Sequence, residues 1–206
     1  MKENRIAITG MGIVSAIGMN VADNLHALVT NSTGISRVDN FETIHRDMVM
    51  VGEIKQSNAE LAALLDLPAG HCFSRTSLLG ALAARQALEH AQIKDVNAVR
   101  TGFISSTSVG GMDITERNFY AYAEDPSLRP YITAHDAGDT THKIADYLGL
   151  QGFVSTISTA CSSAANAIML GARLLLAGKV DRVVVGGTDA LCKFTLNGFN
   201  TLMILS

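Results

Sequence analysis

The stretch from Ala164 to Ala177 restricts most strongly what this chain can fold into. It reads Ala-Ala-Asn-Ala-Ile-Met-Leu-Gly-Ala-Arg-Leu-Leu-Leu-Ala, interrupted only by Asn166 and Arg173, and Gly178 closes it. A helix without a polar face must be covered on all sides, which places it inside a layered fold. Just before it, Gly152-Phe153-Val154 opens a short β-prone run that leads through Ser155 to Ser163, so Cys161 stands at a strand-to-helix junction. The pattern predicts a helix starting at Ser162 with the cysteine on its first turn. Unpaired amides and the helix dipole at such a point favour a thiolate. The Cys161 N–H could also hold the oxyanion that forms when a thiolate attacks a carbonyl. The same position suits a cysteine that is only a small buried hydrophobe, and the flanks alone leave both readings open.

Upstream, Arg5–Thr9 reads as a short β-branched strand, with Gly10, Gly12 and Gly18 as the turn after it and a helix from Val21 to Thr30. A dinucleotide-binding reading fails here. Ser15 stands where a Gly-x-Gly-x-x-Gly turn needs its last glycine, and no acidic residue closes a second strand about 20 residues on. Residues 31–69 are irregular and more polar, with Val49–Ile54 a possible strand and Asn58–Leu65 a short helix. Ser77–Ala91 is an alanine-leucine helix, Val99–Ser105 a strand, and Gly110-Gly111 ends the unit. The order of helix, short acidic loop, strand and glycine pair recurs as Ala164–Ala177, Gly178–Asp181, Arg182–Val185 and Gly186-Gly187. Two such units predict an α/β fold with a parallel sheet and helices against it. Met112–His142 reads as a helical excursion carrying Tyr120, Tyr122 and Tyr131, followed by a helix over Thr140–Leu148. His135 and His142, the histidines nearest Cys161 in sequence, are candidate bases of a Cys–His arrangement, though neither lies in a motif.

Charge and cysteine usage narrow the function classes. A net charge of −3 with no basic stripe argues against a nucleic-acid partner. Cys72, Cys161 and Cys192 form no metal-ligand spacing and no even-numbered disulfide set, which suits a reducing cytoplasm. Ile6–Ala22 is apolar behind Lys2 and Arg5, but its three glycines make it a strand and turn rather than a signal peptide. No run reaches the ~18 uninterrupted apolar residues of a membrane helix, so no membrane association is expected, and no cofactor motif is present.

Thr159-Ala160-Cys161-Ser162-Ser163 before an alanine-rich helix resembles the nucleophile motif of the β-ketoacyl-ACP synthases, condensing enzymes of the thiolase superfamily. Three further stretches agree in order. Arg5–Gly18 resembles the family's opening strand and turn, Ser106–Met112 its glycine-rich segment, and Asp181–Ala190 the strand after the nucleophile helix. The resemblance implies a thiolase-like αβαβα layered fold, of which residues 1–206 are the N-terminal half. It implies Cys161 as nucleophile, Val109 near the acyl channel and Ser162 beside the substrate; as short hydroxyl residues beside a tight turn, Thr159, Ser162 and Ser163 are also expected to satisfy its backbone. The implied reaction is acyl transfer to the cysteine, then decarboxylative Claisen condensation with malonyl-ACP, with no cofactor. Acyl carrier protein is the implied partner. A homodimer pairing through the strand before the cysteine, or a synthase-type heterodimer, is the implied assembly. A non-catalytic, chain-length-factor-like subunit and a thiolase-type enzyme acting on coenzyme A thioesters are the alternatives.

Two departures from the family pattern carry expectations of their own. The family's second half supplies two histidines, a lysine and a glycine-rich loop, and no residue here matches them. The chain alone is therefore expected to condense poorly or not at all, and residues 1–206 are expected to be a piece of a longer chain or one half of a complex. Members also carry a basic cluster before the helix corresponding to Ser77–Ala91, where the acidic carrier docks. Here Gly70–Arg75 holds a single arginine.

Overall fold

A computed structural model describes residues 5–205. Helix α1 (Val21–Val29) starts at Asn20, whose Oδ1 accepts the Asp23 N–H at 2.9 Å. Strands β1 (Ile35–Ser36) and β2 (Val51–Gly52) form a small antiparallel ribbon. Only the middle of the expected Val49–Ile54 strand therefore forms a ladder, and its partner lies in a stretch that reads as irregular. Helix α2 (Asn58–Leu64) opens on a Ser57/Glu60 capping box, and α3 (Arg75–His90) follows. Strand β3 (Thr101–Ser106) leads into α4 (Met112–Tyr122), a 3₁₀ turn at Pro126–Leu128, α5 (Arg129–Thr133) and α6 (Ala137–Tyr147). The remainder is β4 (Val154–Ile157), α7 (Ser163–Leu176), β5 (Arg182–Val185) and α8 (Lys193–Thr201).

The main sheet has the order β4-β3-β5, all parallel, with Phe103 opposite Val154 and Ile104 opposite Val185. Every residue of β3 is buried, as a central strand covered on both faces requires. On one face, α3 and α6 bury Leu78, Leu82, Phe103 and Ile144, with Val184 against them. On the other lies α7. Its Gly171 approaches so closely that a Cβ there would meet Val185 Cγ1 at 2.5 Å and Val183 Cγ1 at 3.1 Å. Val184 and the pair Val183/Val185 thus face opposite layers, as strand alternation dictates.

One expectation is corrected and another is met. The expected Arg5–Thr9 strand does not form: among the described residues, 6–9 pair with no strand and the segment lies along α3 instead. A Cβ on Gly10 or Gly12 would fall 2.1 Å from the Ala87 carbonyl oxygen or 1.9 Å from that of Ala83. Those glycines are therefore needed for close approach, while the turn itself is closed by Ser15 and Gly18. The expectation met concerns α7, whose apolar face one half alone leaves uncovered. Within the chain only Ser163, Ala167 and Gly171 are buried on it, and Ile168, Met169 and Leu176 remain about half exposed.

The two features meet at one place. Residues 6–13 and the outer edge of β5 face each other across two adjoining apolar cavities of about 360 and 170 Å³, which share Ile8, Ile168, Val184 and Val185 as walls.

Candidate functional site

After β4 the chain makes a tight turn before α7, and its hydroxyl side chains close that turn. Ala160 adopts φ +52°, the left-handed region that a non-glycine residue enters at a cost of about 1–3 kcal/mol. Hydrogen bonds hold it there. Ser163 Oγ accepts the Thr159 N–H at 2.8 Å and donates to the Ala160 carbonyl at 2.7 Å, and the Ser163 N–H reaches that carbonyl at 3.0 Å. The Ser162 hydroxyl donates to the Thr159 carbonyl at 2.7 Å, and Asn166 Nδ2 donates to Thr159 Oγ1 at 2.8 Å. Thr159 and Ser163 thus support the turn as expected, and Asn166 joins them.

Cys161 is exposed and lies two residues before the first residue of α7. It is therefore on the turn that precedes the helix, not on the helix's first turn, because Ser162 is the residue flanking the helix start. The exposure sets aside the buried-hydrophobe reading. Neither the Cys161 N–H nor its thiol has a hydrogen-bond partner among the described residues. His135 and His142 are both exposed and neither bonds to the thiol, so no Cys–His pair forms within this chain.

The end of β3 comes alongside the cysteine turn, as the carboxyl ends of adjacent parallel strands must. Ser108 Oγ donates to the Ala160 carbonyl at 3.0 Å. The glycine-rich turn carrying Ser108 is itself held by Asp189, just beyond β5. One oxygen of that carboxylate accepts the Thr107 hydroxyl at 2.7 Å, the Ser108 N–H at 2.7 Å and the Val109 N–H at 3.3 Å. Gly110, at φ +54°, packs against the His135 carbonyl. Val109 is half-buried, one residue from the hydroxyl that reaches the cysteine turn. The sequence reading gave Ser108 and Asp189 no role. Their signal was positional, since both follow strands parallel to the one that delivers Cys161.

Elsewhere, the lone arginine of Gly70–Arg75 is engaged in structure. Arg75 is buried, and its guanidinium donates to the carbonyls of Ile54 and Gln56 and to Asn58 Oδ1. Among the described residues no three His, Cys, Asp or Glu side chains gather as a metal site, and no helix is long and apolar enough to cross a membrane. Cys192 is 1 % exposed, and burial pushes its thiol pKa up. Iodoacetamide is therefore expected to modify Cys161 at least roughly tenfold faster than Cys192 in the folded protein. Peptide mapping over a time course checks this, with Cys192 reacting fully only after denaturation.

Comparison with known proteins places this geometry in a family. Residues 3–206 match the family model described as the N-terminal domain of β-ketoacyl synthases. The whole chain is 26 % identical over 218 residues to the 3-oxoacyl-[acyl-carrier-protein] synthase 2 of Vibrio cholerae, and it covers 51 % of that relative. Among solved structures, it is similar to the ishigamide ketosynthase/chain length factor, with a TM-score of 0.82, 22 % identity, and coverage of 95 % of this chain and 50 % of that one. A ketosynthase in complex with its chain length factor from Xenorhabdus doucetiae gives a TM-score of 0.78 at 28 % identity, covering 97 % of this chain and 50 % of that one. The chain thus spans about half the length of the curated relatives it matches. With the family model covering almost every residue and the parallel α/β architecture shared with solved ketosynthases, this chain belongs to the β-ketoacyl synthases, as their thiolase-like N-terminal domain.

Proposed function

We propose that this chain is the nucleophile-bearing half of a β-ketoacyl-[acyl-carrier-protein] synthase that works with a second half like the one its relatives possess. The observation that carries the reading is the exposed Cys161 on a hydroxyl-locked turn, whose backbone N–H has no acceptor among the described residues. In the first step the Cys161 sulfur attacks an acyl thioester. A new C–S bond forms, the bond to the carrier sulfur breaks, and the carrier thiol leaves with the proton. The Cys161 N–H is then one donor for the developing oxyanion. Malonyl-ACP next loses CO₂, and the resulting carbanion attacks the acyl-enzyme carbonyl. That forms the C–C bond and expels the cysteine thiolate, which takes up a proton. The decarboxylation puts charge on a thioester oxygen, and in the family histidines of the second half meet it. Losing even one such donor typically costs about 3–4 kcal/mol, so this half alone carries at most the acyl-transfer step.

Val109 and Ser162 flank the thiol in this reading, Val109 against the acyl chain and Ser162 beside the thioester. The outer edge of β4, which no strand among the described residues covers, suits the strand-to-strand homodimer expected from the family, and the neighbours described as ketosynthase/chain length factor assemblies support a heterodimer of similar geometry. Acyl carrier protein remains the proposed donor, though Arg75 is not free to greet it and another surface must do so. The test offers the native protein malonyl and acyl groups on either acyl carrier protein or free coenzyme A and follows the β-ketoacyl product by mass. Product from the carrier-bound pair supports the proposal, and acyl exchange from coenzyme A alone, without malonyl decarboxylation, points to a thiolase-type enzyme instead.

A further inference from the structure

The peptide unit between Ala160 and Cys161 is unevenly used. Its carbonyl receives three donors: the Ser163 N–H at 3.0 Å, the Ser163 hydroxyl at 2.7 Å and the Ser108 hydroxyl at 3.0 Å. Its N–H, which belongs to Cys161, has no acceptor among the described residues. Hydrogen bonds in series polarise one another, so donors at the carbonyl withdraw electron density through the amide and make the N–H a stronger donor. Two of the three come from Ser163 within the turn itself, and the third comes from another strand. Ser108 therefore links the orientation of this peptide plane to the end of β3, and Asp189 fixes Ser108 by taking the N–H groups of Ser108 and Val109 on one carboxylate oxygen.

We propose that Ser108 is a positioning residue that orients and polarises the Ala160–Cys161 peptide so that the Cys161 N–H serves as oxyanion donor. The inference rests on the reading of Cys161 as the acylated nucleophile. Ser108 touches no reacting atom in this role and acts through the amide. Removing its hydroxyl weakens one oxyanion donor without deleting it, so the loss is a fraction of the 10²- to 10³-fold that losing a whole donor costs, roughly three- to tenfold in the acylation rate.

The test compares wild type with Ser108→Ala and Ser108→Thr in the complete native synthase, both halves present. Each is acylated with a carbonyl-labelled acyl thioester, and two quantities are read: the acylation rate and the infrared stretch of the thioester carbonyl on Cys161. Ser108→Ala is expected to slow acylation three- to tenfold, mostly through kcat rather than KM, and to shift the carbonyl stretch to higher frequency. Ser108→Thr keeps the hydroxyl and is expected to restore both. A slower Ser108→Ala enzyme with an unshifted carbonyl would make Ser108 a merely structural residue and overturn the proposal, as would an unchanged rate. If wild type carries no acyl group on Cys161, the reading of the nucleophile fails and this inference goes with it. Because Ser108 is exposed, its alanine variant is expected to fold, and equal melting temperatures for the three proteins check that.

Discussion

Replacing Cys161 with alanine in the complete protein is expected to abolish acyl transfer while leaving the fold intact. Cys161 is exposed and its thiol makes no hydrogen bond among the described residues, so the substitution opens no cavity and orphans no polar group. Stability should stay within about 0.5 kcal/mol of wild type. The locking bonds of the turn run through Thr159, Ser162, Ser163 and Ser108, none of which needs the sulfur. The chemistry has no such tolerance. Removing the nucleophile of an enzyme that forms a covalent intermediate costs on the order of 10⁴-fold or more in kcat. Intact-protein mass after exposure to an acyl thioester reads this directly, with an adduct of one acyl group on wild type and none on Cys161→Ala. Peptide mapping separates any background on the half-buried Cys72. An adduct that persists on the variant at the wild-type rate would remove Cys161 from the mechanism.

How much of this was legible in the sequence depends on whether a signal was local. The alternation of α3, β3, α7 and β5 was, because each unit runs from an apolar helix through a short loop and a strand to a glycine pair, and two such units fix a parallel sheet. Cys161 was legible for the same reason, as a short motif at a strand-to-helix junction. Its offset from the helix was not, since Ala160 enters the left-handed region and uses up residues before α7 can begin. Arg5–Thr9 failed in a more instructive way. Its composition is that of a strand, but a strand needs a neighbour to pair with, and composition cannot say whether one is in place. Ser108 and Asp189 lie 81 residues apart, and only the sheet order brings them to the same turn. That Gly70–Arg75 lacks the family's basic cluster was legible, but the burial of its one arginine was not, because a sequence does not tell a buried guanidinium from a free one.

The unpaired strand leads to the second large effect. Arg182, Gly186 and Thr188, all on the same alternate set of positions along β5 and its continuation, donate to the carbonyls of Arg100, Ile104 and Ser106. The intervening amides of Val183 and Val185 therefore point toward the opposite edge, where no strand among the described residues pairs with them. Across the cavities from that edge, the amides of residues 6–9 also have no acceptor among the described residues, and Ile6 and Ile8 are 43 % and 84 % exposed. Two extended edges with unpaired backbone and an apolar floor from Ile168 are what an inserted β-strand covers, and the second half proposed above is the source of polypeptide that could supply it. With that half present, the amides of Val183, Val185 and residues 6–9 are expected to exchange with solvent at least roughly a hundredfold more slowly than in residues 1–206 alone. Amides such as Gly186 and Thr188, already bonded to β3, should change far less. Hydrogen exchange with mass spectrometry, comparing this chain with the complete protein, makes the measurement. Equal exchange at these amides in both samples would mean that the slot stays open and that the second half packs only on the exposed flank of α7.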